Sequence, residues 1–271
     1  MVVNLFRLIV GFVFLSIFTL VSSRGLLLPV DATPRTWLLL MISGLIGFVF
    51  GDLCLFQAFV LIGARISMLI MALAPPITAL ISYFTLGETL SGRSWIAMLL
   101  TIAGIALVVL KRENHDTEDG NVRKVRFSYP IWGILLGLGG AVGQAGGLVL
   151  SKYSMHNYNA FASAQIRVIA GMAGFMIILT MKGHWKTAYQ SLSNTKAMFQ
   201  LSLGAFFGPF LGVSFSLLAV QMTSAGIAST IMALVPVLII PPSVILFREK
   251  VTIKEVLGAI MAVGGVALFF L

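Results

Sequence analysis

Charge is scarce in this sequence. Asp, Glu, Lys and Arg make up only 10% of its 271 residues, against roughly 25% in a soluble domain. A single cysteine, Cys54, rules out an internal disulfide framework, and its apolar setting suits a small packing residue. Histidine is limited to His115, His156 and His184, which all fall in connectors and form no HExxH or comparable metal spacing. Neither a GxSxG elbow nor a GxxxxGKS/T phosphate loop occurs. No residue is therefore assigned a catalytic or metal-ligating role, no cofactor is expected, and ATP hydrolysis by this chain is excluded. Alternating ten-residue strands are missing as well, which argues against an outer-membrane barrel.

Apolar residues make up 59% of the chain. They fall into runs of about 20 residues, each long enough to cross a hydrocarbon core as a helix. Nine such spans are expected, at roughly 2–21, 37–60, 64–86, 92–110, 129–151, 160–181, 198–220, 224–247 and 252–271. The fold class is an all-α polytopic membrane protein, with the lipid bilayer as its first partner. The net charge of +9 would suggest nucleic acid in a soluble protein. Here the basic residues sit mainly in loops, form no recognition module, and follow from positive-inside topology.

The chain also repeats itself. Met71-Ala72-Leu73-Ala74-Pro75 returns as Met232-Ala233-Leu234-Val235-Pro236, an offset of 161 residues. The same offset pairs Gly47 with Gly208, Gly51 with Gly212, Ser82 with Ser243, Glu88 with Glu249 and Gly104 with Gly265. One register further back, Arg7-Leu8-Ile9-Val10-Gly11 meets Arg167-Val168-Ile169-Ala170-Gly171. Internal repeats in a membrane chain are the signature of secondary transporters, whose solute site lies between the halves. The expected division is residues 1–110 as the first repeat, 111–128 as a charged linker and 129–271 as the second repeat.

The second repeat holds five spans and the first only four. The expectation is a further span upstream of Met1, lost through a misassigned start or truncation. Arg7 followed by an apolar run ending Val21-Ser22-Ser23 also resembles a signal peptide. Its match to the internal segment at 166–181 favours a retained span. Two tandem units with an odd number of spans cross the bilayer in opposite directions, giving an inverted repeat. By loop charge the linker would be cytoplasmic and the C-terminus external.

The motifs Ala74-Pro75-Pro76 with Val235-Pro236, Leu86-Gly87-Glu88 with Arg248-Glu249-Lys250, and Ala103-Gly104-Ile105-Ala106 with Gly264-Gly265-Val266-Ala267 carry a resemblance. The chain resembles EamA-type members of the drug/metabolite transporter superfamily over nearly its whole length. That resemblance implies ten helices in two inverted five-helix repeats, with both ends cytoplasmic. It also implies export or exchange of small polar metabolites, with amino acids frequent in the bacterial branch. Nucleotide sugars and triose phosphates are carried by related branches. The nine spans and the loop-charge bias depart from that pattern. The resemblance places the spans near 37–60, 64–86, 198–220 and 224–247 along the pathway.

Asp52 is the sharpest candidate, because an ionised carboxylate inside an apolar run costs several kcal/mol unless paired, hydrated or protonated. Its repeat partner is Val213, so a proton-coupling or amine-binding role would belong to one half only; the alternative is a residue at the membrane edge satisfied by a basic neighbour. Gln57, Thr78, Ser82, Tyr83, Gln144, Ser214, Ser216 and Ser243 supply neutral polar groups that suit either a zwitterionic solute or ordinary helix packing. Pro75, Pro76, Pro236, Pro241 and Pro242 sit inside spans, where a missing donor breaks or kinks a helix. Gly47 and Gly51, Gly204, Gly208 and Gly212, and Gly139, Gly143 and Gly147 read as close-packing positions. Arg7 and Arg167, with Glu88 and Glu249, read as topology and gate-edge residues that snorkel or pair in loops.

The function expected from sequence is a secondary carrier of small polar metabolites, amino acids first, in a bacterial inner membrane. A carrier of nucleotide sugars or phosphorylated sugars, and a non-transporting assembly or sensor protein, are the alternatives. Oligomeric state stays open, with a homodimer among the options.

Overall fold

The structure, a computed structural model, describes residues 2–22, 25–110, 130–183, 185–191, 195–238 and 253–268. The helices are α1 (Val2–Val21), α2 (Pro34–Gly44), α3 (Asp52–Met71), α4 (Ala74–Leu86), α5 (Gly92–Leu110), α6 (Ile131–Met155), α7 (Ala160–Met181), α8 (Trp185–Ser191), α9 (Thr195–Ala205), α10 (Val213–Met222), α11 (Ala225–Met232), α12 (Val235–Leu238) and α13 (Ile253–Ala267). No strand occurs among the described residues. Five helical stretches are long and apolar enough to cross a membrane: Val2–Val21, Pro34–Gly63, Ile131–Met155, Ala160–Met181 and Thr195–Met222. Three shorter apolar helices, Ala74–Leu86, Gly92–Leu107 and Val256–Ala267, accompany them. The linker at 111–128, and with it Pro241, Pro242 and Ser243, lies outside the described residues.

Local chemistry sets several helix ends. Thr33 caps α2 by accepting from the Thr36 N–H, with Pro34 in the first turn, where its missing donor does no harm. Asn159 caps α7 by accepting from Phe161 and Ala162 N–H. α4 ends on Gly87 at φ +65°, a left-handed cap that a side chain would resist.

The stretches expected as continuous spans at 64–86 and 224–247 are interrupted instead. The turn at Gly63, which has φ +80°, falls between the expected spans 37–60 and 64–86, but a break at Ala72–Leu73, inside the second of them, separates α3 from α4. The break follows from Pro75 and Pro76, which have no N–H to return to the preceding turn and whose rings crowd it. α11 and α12 are separated the same way at Ala233–Leu234, just before Pro236. Three hydrogen bonds around each break correspond under the 161-residue offset. Ala72, Leu73 and Ile77 donate to the carbonyls of Met68, Ile70 and Leu73, as Ala233, Leu234 and Leu238 donate to Ser229, Ile231 and Leu234.

A second irregularity is duplicated. α2 and α3 are joined by a π-helical segment, Leu45–Gly51, and α9 and α10 by another, Phe206–Gly212. The N–H of Asp52 reaches back five residues to the Gly47 carbonyl, as that of Val213 does to Gly208. Pro209 lies inside the second segment and cannot make its own i→i−4 bond, which favours the wider turn there. The first segment has Phe48 at that place and keeps the same geometry.

The chain forms two compact units: Met1–Leu53 with Gly143–Ala228, and Cys54–Val142 with Ser229–Leu271. In the first unit α7 is the most buried helix, with Ala164, Ile166, Val168 and Ala170 fully enclosed, and it packs on α1, α2, α10 and the Leu45–Gly51 segment. Gly51 and Gly47 meet Gly143 and Gly147 of α6 so closely that a Cβ on Gly143 would fall 2.8 Å from the Gly51 Cα. An added Cβ would meet nothing within 4 Å at Gly208, the repeat equivalent of Gly47, or at Gly204, and at Gly212, the equivalent of Gly51, it would meet only the Phe207 carbonyl group of its own segment, at 2.9 Å. Gly11 of α1 lies against Pro209, and Gly171 of α7 lies against Phe48, so one contact is used twice.

In the second unit α5 and α13 cross in antiparallel sense. A Cβ on Gly104 would meet the Gly258 carbonyl at 2.6 Å, and one on Gly265 the Ala97 carbonyl at 2.9 Å. Thr101 faces Ala262 between them. These pairs exchange under the 161-residue offset, so the crossing is locally two-fold. Ala72 and Leu234, from the two breaks, share one buried cluster with Ile105 and Ala262.

The neighbouring glycines of α13 should then respond in opposite ways. Gly265→Val is expected to lower the unfolding temperature of the chain in nanodiscs, by overpacking worth about 1–3 kcal/mol. Gly264→Val meets open space and is expected to leave that temperature within about 0.5 kcal/mol equivalent of the parent. Equal shifts for the two variants would contradict the crossing.

Candidate functional site

The charged group of the first unit is assembled at the end of a π-helical segment. That segment gives an extra residue to the turn and so re-aims the residue that follows it. Here that residue is Asp52. Its Oδ2 accepts from Arg7 Nη2 at 2.8 Å, and the two side chains are 17% and 30% exposed. Such a charge-assisted pair is what lets a carboxylate sit within the Pro34–Gly63 stretch. Of the two roles the sequence allowed Arg7, snorkelling or pairing, the structure shows pairing, though with a residue inside a helical stretch and not in a loop.

Arg167 is the larger departure from that reading. It is buried at 6% exposure. Its guanidinium stacks over the Phe48 ring, 5.1 Å from the centroid, a cation–π contact. Room for it comes from glycine. A Cβ on Gly47 would stand 3.0 Å from Arg167 Nη2, and one on Gly44 would collide with the Arg167 backbone carbonyl at 2.5 Å. The buried Nε of Arg167 has no hydrogen-bond partner among the described residues, and neither has Nε of Arg7. Two residues earlier on α7, the fully buried Gln165 donates to Ser16 Oγ and the Leu27 carbonyl, and so ties α7 to α1 and the loop that follows.

The other sequence candidates are dispersed. Ser214 is fully buried, and its Oγ has no hydrogen-bond partner among the described residues; Ser216 is half-buried. Gln144 on α6 is exposed. In the second unit Thr78 is fully buried and donates to Ser229 Oγ at 3.2 Å. Ser82 is buried and returns its hydroxyl to the Ala79 carbonyl. Gln57 and Tyr83 are exposed. Pro75 is buried and Pro76 half-buried at the start of α4, while Pro236 lies in α12. Among the described residues no group of three His, Cys, Asp or Glu could hold a metal ion.

Sequence reasoning named Arg167 as a topology and gate-edge residue but missed its burial, and it missed both π-helical segments and Pro209. One signal for Arg167 was present: an arginine repeated at matched places in both halves, with its acidic neighbour present only in one. The π-helical segments have no comparable mark, because their residues read as ordinary apolar helix.

Comparison with known proteins agrees with the architecture. A solved crystal structure superposes with a TM-score of 0.71 at 18% identity, over 98% of this chain and 86% of that one, a likeness of fold alone. An uncharacterised transporter of Bacillus subtilis strain 168, YvbV, is 25% identical over 260 residues, covering 90% of this chain and 78% of its own length. The family profile described as EamA-like transporter matches residues 1–110 and 131–271, which leaves out little beyond the charged linker. With its apolar helices, its duplicated breaks and this match along both halves, the chain is an integral membrane protein that belongs to the EamA-like transporter family.

Proposed function

We propose that the chain is a secondary carrier in a bacterial inner membrane that exports or exchanges small polar metabolites, amino acids first, by alternating access between two inverted repeats. The observation that carries this reading is the duplication of irregular backbone at one spacing. Helix breaks at Ala72–Leu73 and Ala233–Leu234, and π-helical segments at Leu45–Gly51 and Phe206–Gly212, interrupt the regular i→i−4 ladder at matched places within apolar stretches. Lipid tolerates such backbone only where protein or a wet cavity faces it. Two copies of the same weak points give two surfaces able to open in turn. The antiparallel, self-equivalent crossing of α5 and α13 supports opposite orientation of the halves.

The proposed pathway groups are Asp52, Gln57, Thr78, Ser82, Tyr83, Gln144, Ser214 and Ser243, with Pro75, Pro76, Pro236, Pro241 and Pro242 at the moving joints. Asp52 is assigned the coupling role. Protonation would cancel its charge and release Arg7, so the ion pair and the proton compete for one oxygen pair. No comparable carboxylate exists at Val213, so coupling belongs to one half.

Flux of labelled amino acids and other metabolites in proteoliposomes, with and without a pH gradient, tests the reading. Saturable movement of one solute class, altered by the gradient, is the expected result. No flux from well-folded protein over the whole panel would count against a carrier. Asp52→Asn is expected to remove the gradient response, and to destabilise the fold by less than the roughly 3–5 kcal/mol of a fully buried pair, because Arg7 loses its counter-charge but is itself 30% exposed. Pairing it with Arg7→Gln should restore much of the stability without the coupling. Full transport by Asp52→Asn with unchanged pH dependence would sink the coupling role.

A further inference from the structure

The charged cluster of the first unit does not balance. Arg7 and Arg167 bring two guanidiniums, and Asp52 brings one carboxylate, which is already held by Arg7 at 2.8 Å. By the repeat, the place that would give Arg167 an acid of its own is Val213. Nε of Arg167 has no hydrogen-bond partner among the described residues, although the residue is only 6% exposed. Contact with the Phe48 ring and attraction to an Asp52 already held by Arg7 offset only part of the cost of burying this charge. Arginine cannot escape by losing its proton.

We propose that Arg167 is the anchor of an anion subsite, and that its ligand is the carboxylate of the transported solute. The inference rests on the carrier reading and names the solute chemistry for it. The guanidinium fork suits a carboxylate edge-on, with two parallel N–H···O bonds. The residual charge of the cluster is one positive unit, so a monoanion neutralises it. A phosphate monoester carries about −1.5 to −2 at neutral pH and would overshoot. The glycines at 44 and 47 are part of the subsite, because any side chain at Gly47 would press on Nη2. Phe48 supports the guanidinium from one side, with its ring centroid 5.1 Å from Cζ.

The test is a binding measurement on the full chain in nanodiscs, read as a saturable shift of unfolding temperature. Sodium propionate, L-alanine and L-leucine are titrated beside propionamide and L-alaninamide, which keep the shape and lack the anion, and beside inorganic phosphate. At least one carboxylate is expected to shift the parent saturably, with its amide inactive and phosphate weaker. Arg167→Gln should abolish the shift, and Arg167→Lys should raise the half-saturating concentration about tenfold or more by losing the fork. If Arg167→Gln does not fold, Gly47→Ala takes its place, with weakened carboxylate binding expected in a folded chain. A parent-like half-saturation in Arg167→Lys and Gly47→Ala would overturn the subsite. So would amides as effective as carboxylates, phosphate stronger than every carboxylate, or no saturable shift at all. The same preparation separates the two readings: carboxylate binding without flux keeps the subsite and removes the carrier, whereas flux without carboxylate binding does the reverse.

Discussion

Helices that meet in lipid gain little from leaving their surroundings, so association depends on close van der Waals contact between backbones. Glycine placement is therefore the constraint on which this fold depends. Gly47 and Gly51 against Gly147 and Gly143, Gly44 against the Arg167 backbone, Gly11 against Pro209, and Gly104 and Gly265 across α5 and α13 are all approaches that a Cβ would block. They also fix where the charges lie. Arg167 reaches Phe48 because Gly44 and Gly47 let α7 come that close. The packing device and the charged cluster share residues, and a change in one is a change in the other.

Onto this duplicated scaffold the chain places an unduplicated set of charges. Contacts, helix breaks and π-helical turns recur at one offset, and the arginines recur one residue out of register. The acid does not recur. If the cluster served only to hold helices together, a second carboxylate at 213 would stabilise the fold further, and its replacement by valine would leave Arg167 at a cost. Natural chains violate local rules of polar satisfaction mainly where function requires it. That is the physical ground for reading Arg167 as a binding group rather than as a strut.

Much of this was legible in the sequence, and the parts that were not have identifiable causes. Apolar run length located α1, α6 and α7 to within a few residues, since hydrocarbon thickness leaves little choice. The repeat located the equivalences, because identical small residues at one spacing are hard to obtain otherwise. Run length failed at 64–86 and 224–247: apolar composition reports burial in lipid and is silent on whether the backbone is continuous through it. Prolines named the place of each break, but not that Ala72–Leu73 and Ala233–Leu234 would have matching hydrogen bonds. Asp52 stood out as a lone charge. Its partner Arg7 did not, because a basic residue near the start of a span also fits a snorkelling role. Gln57 and Gln144 read alike in sequence as neutral polar groups for a pathway or for helix packing, and both are exposed.

A duplicated frame with a single asymmetric site separates two requirements that a carrier must meet together. Two states able to exchange must lie within a few kcal/mol of each other. Equivalent halves with equivalent joints supply that near-equality, since a joint opened in one half has a counterpart to close in the other. Recognition asks for the opposite: one solute group needs one set of partners, and duplicating a desolvated charge would double its cost without adding a ligand. Keeping Asp52 single while repeating Gly47 as Gly208, Gly51 as Gly212 and Leu73 as Leu234 meets both demands. On the proposed reading, the repeat carries the motion and the departure from the repeat carries the chemistry.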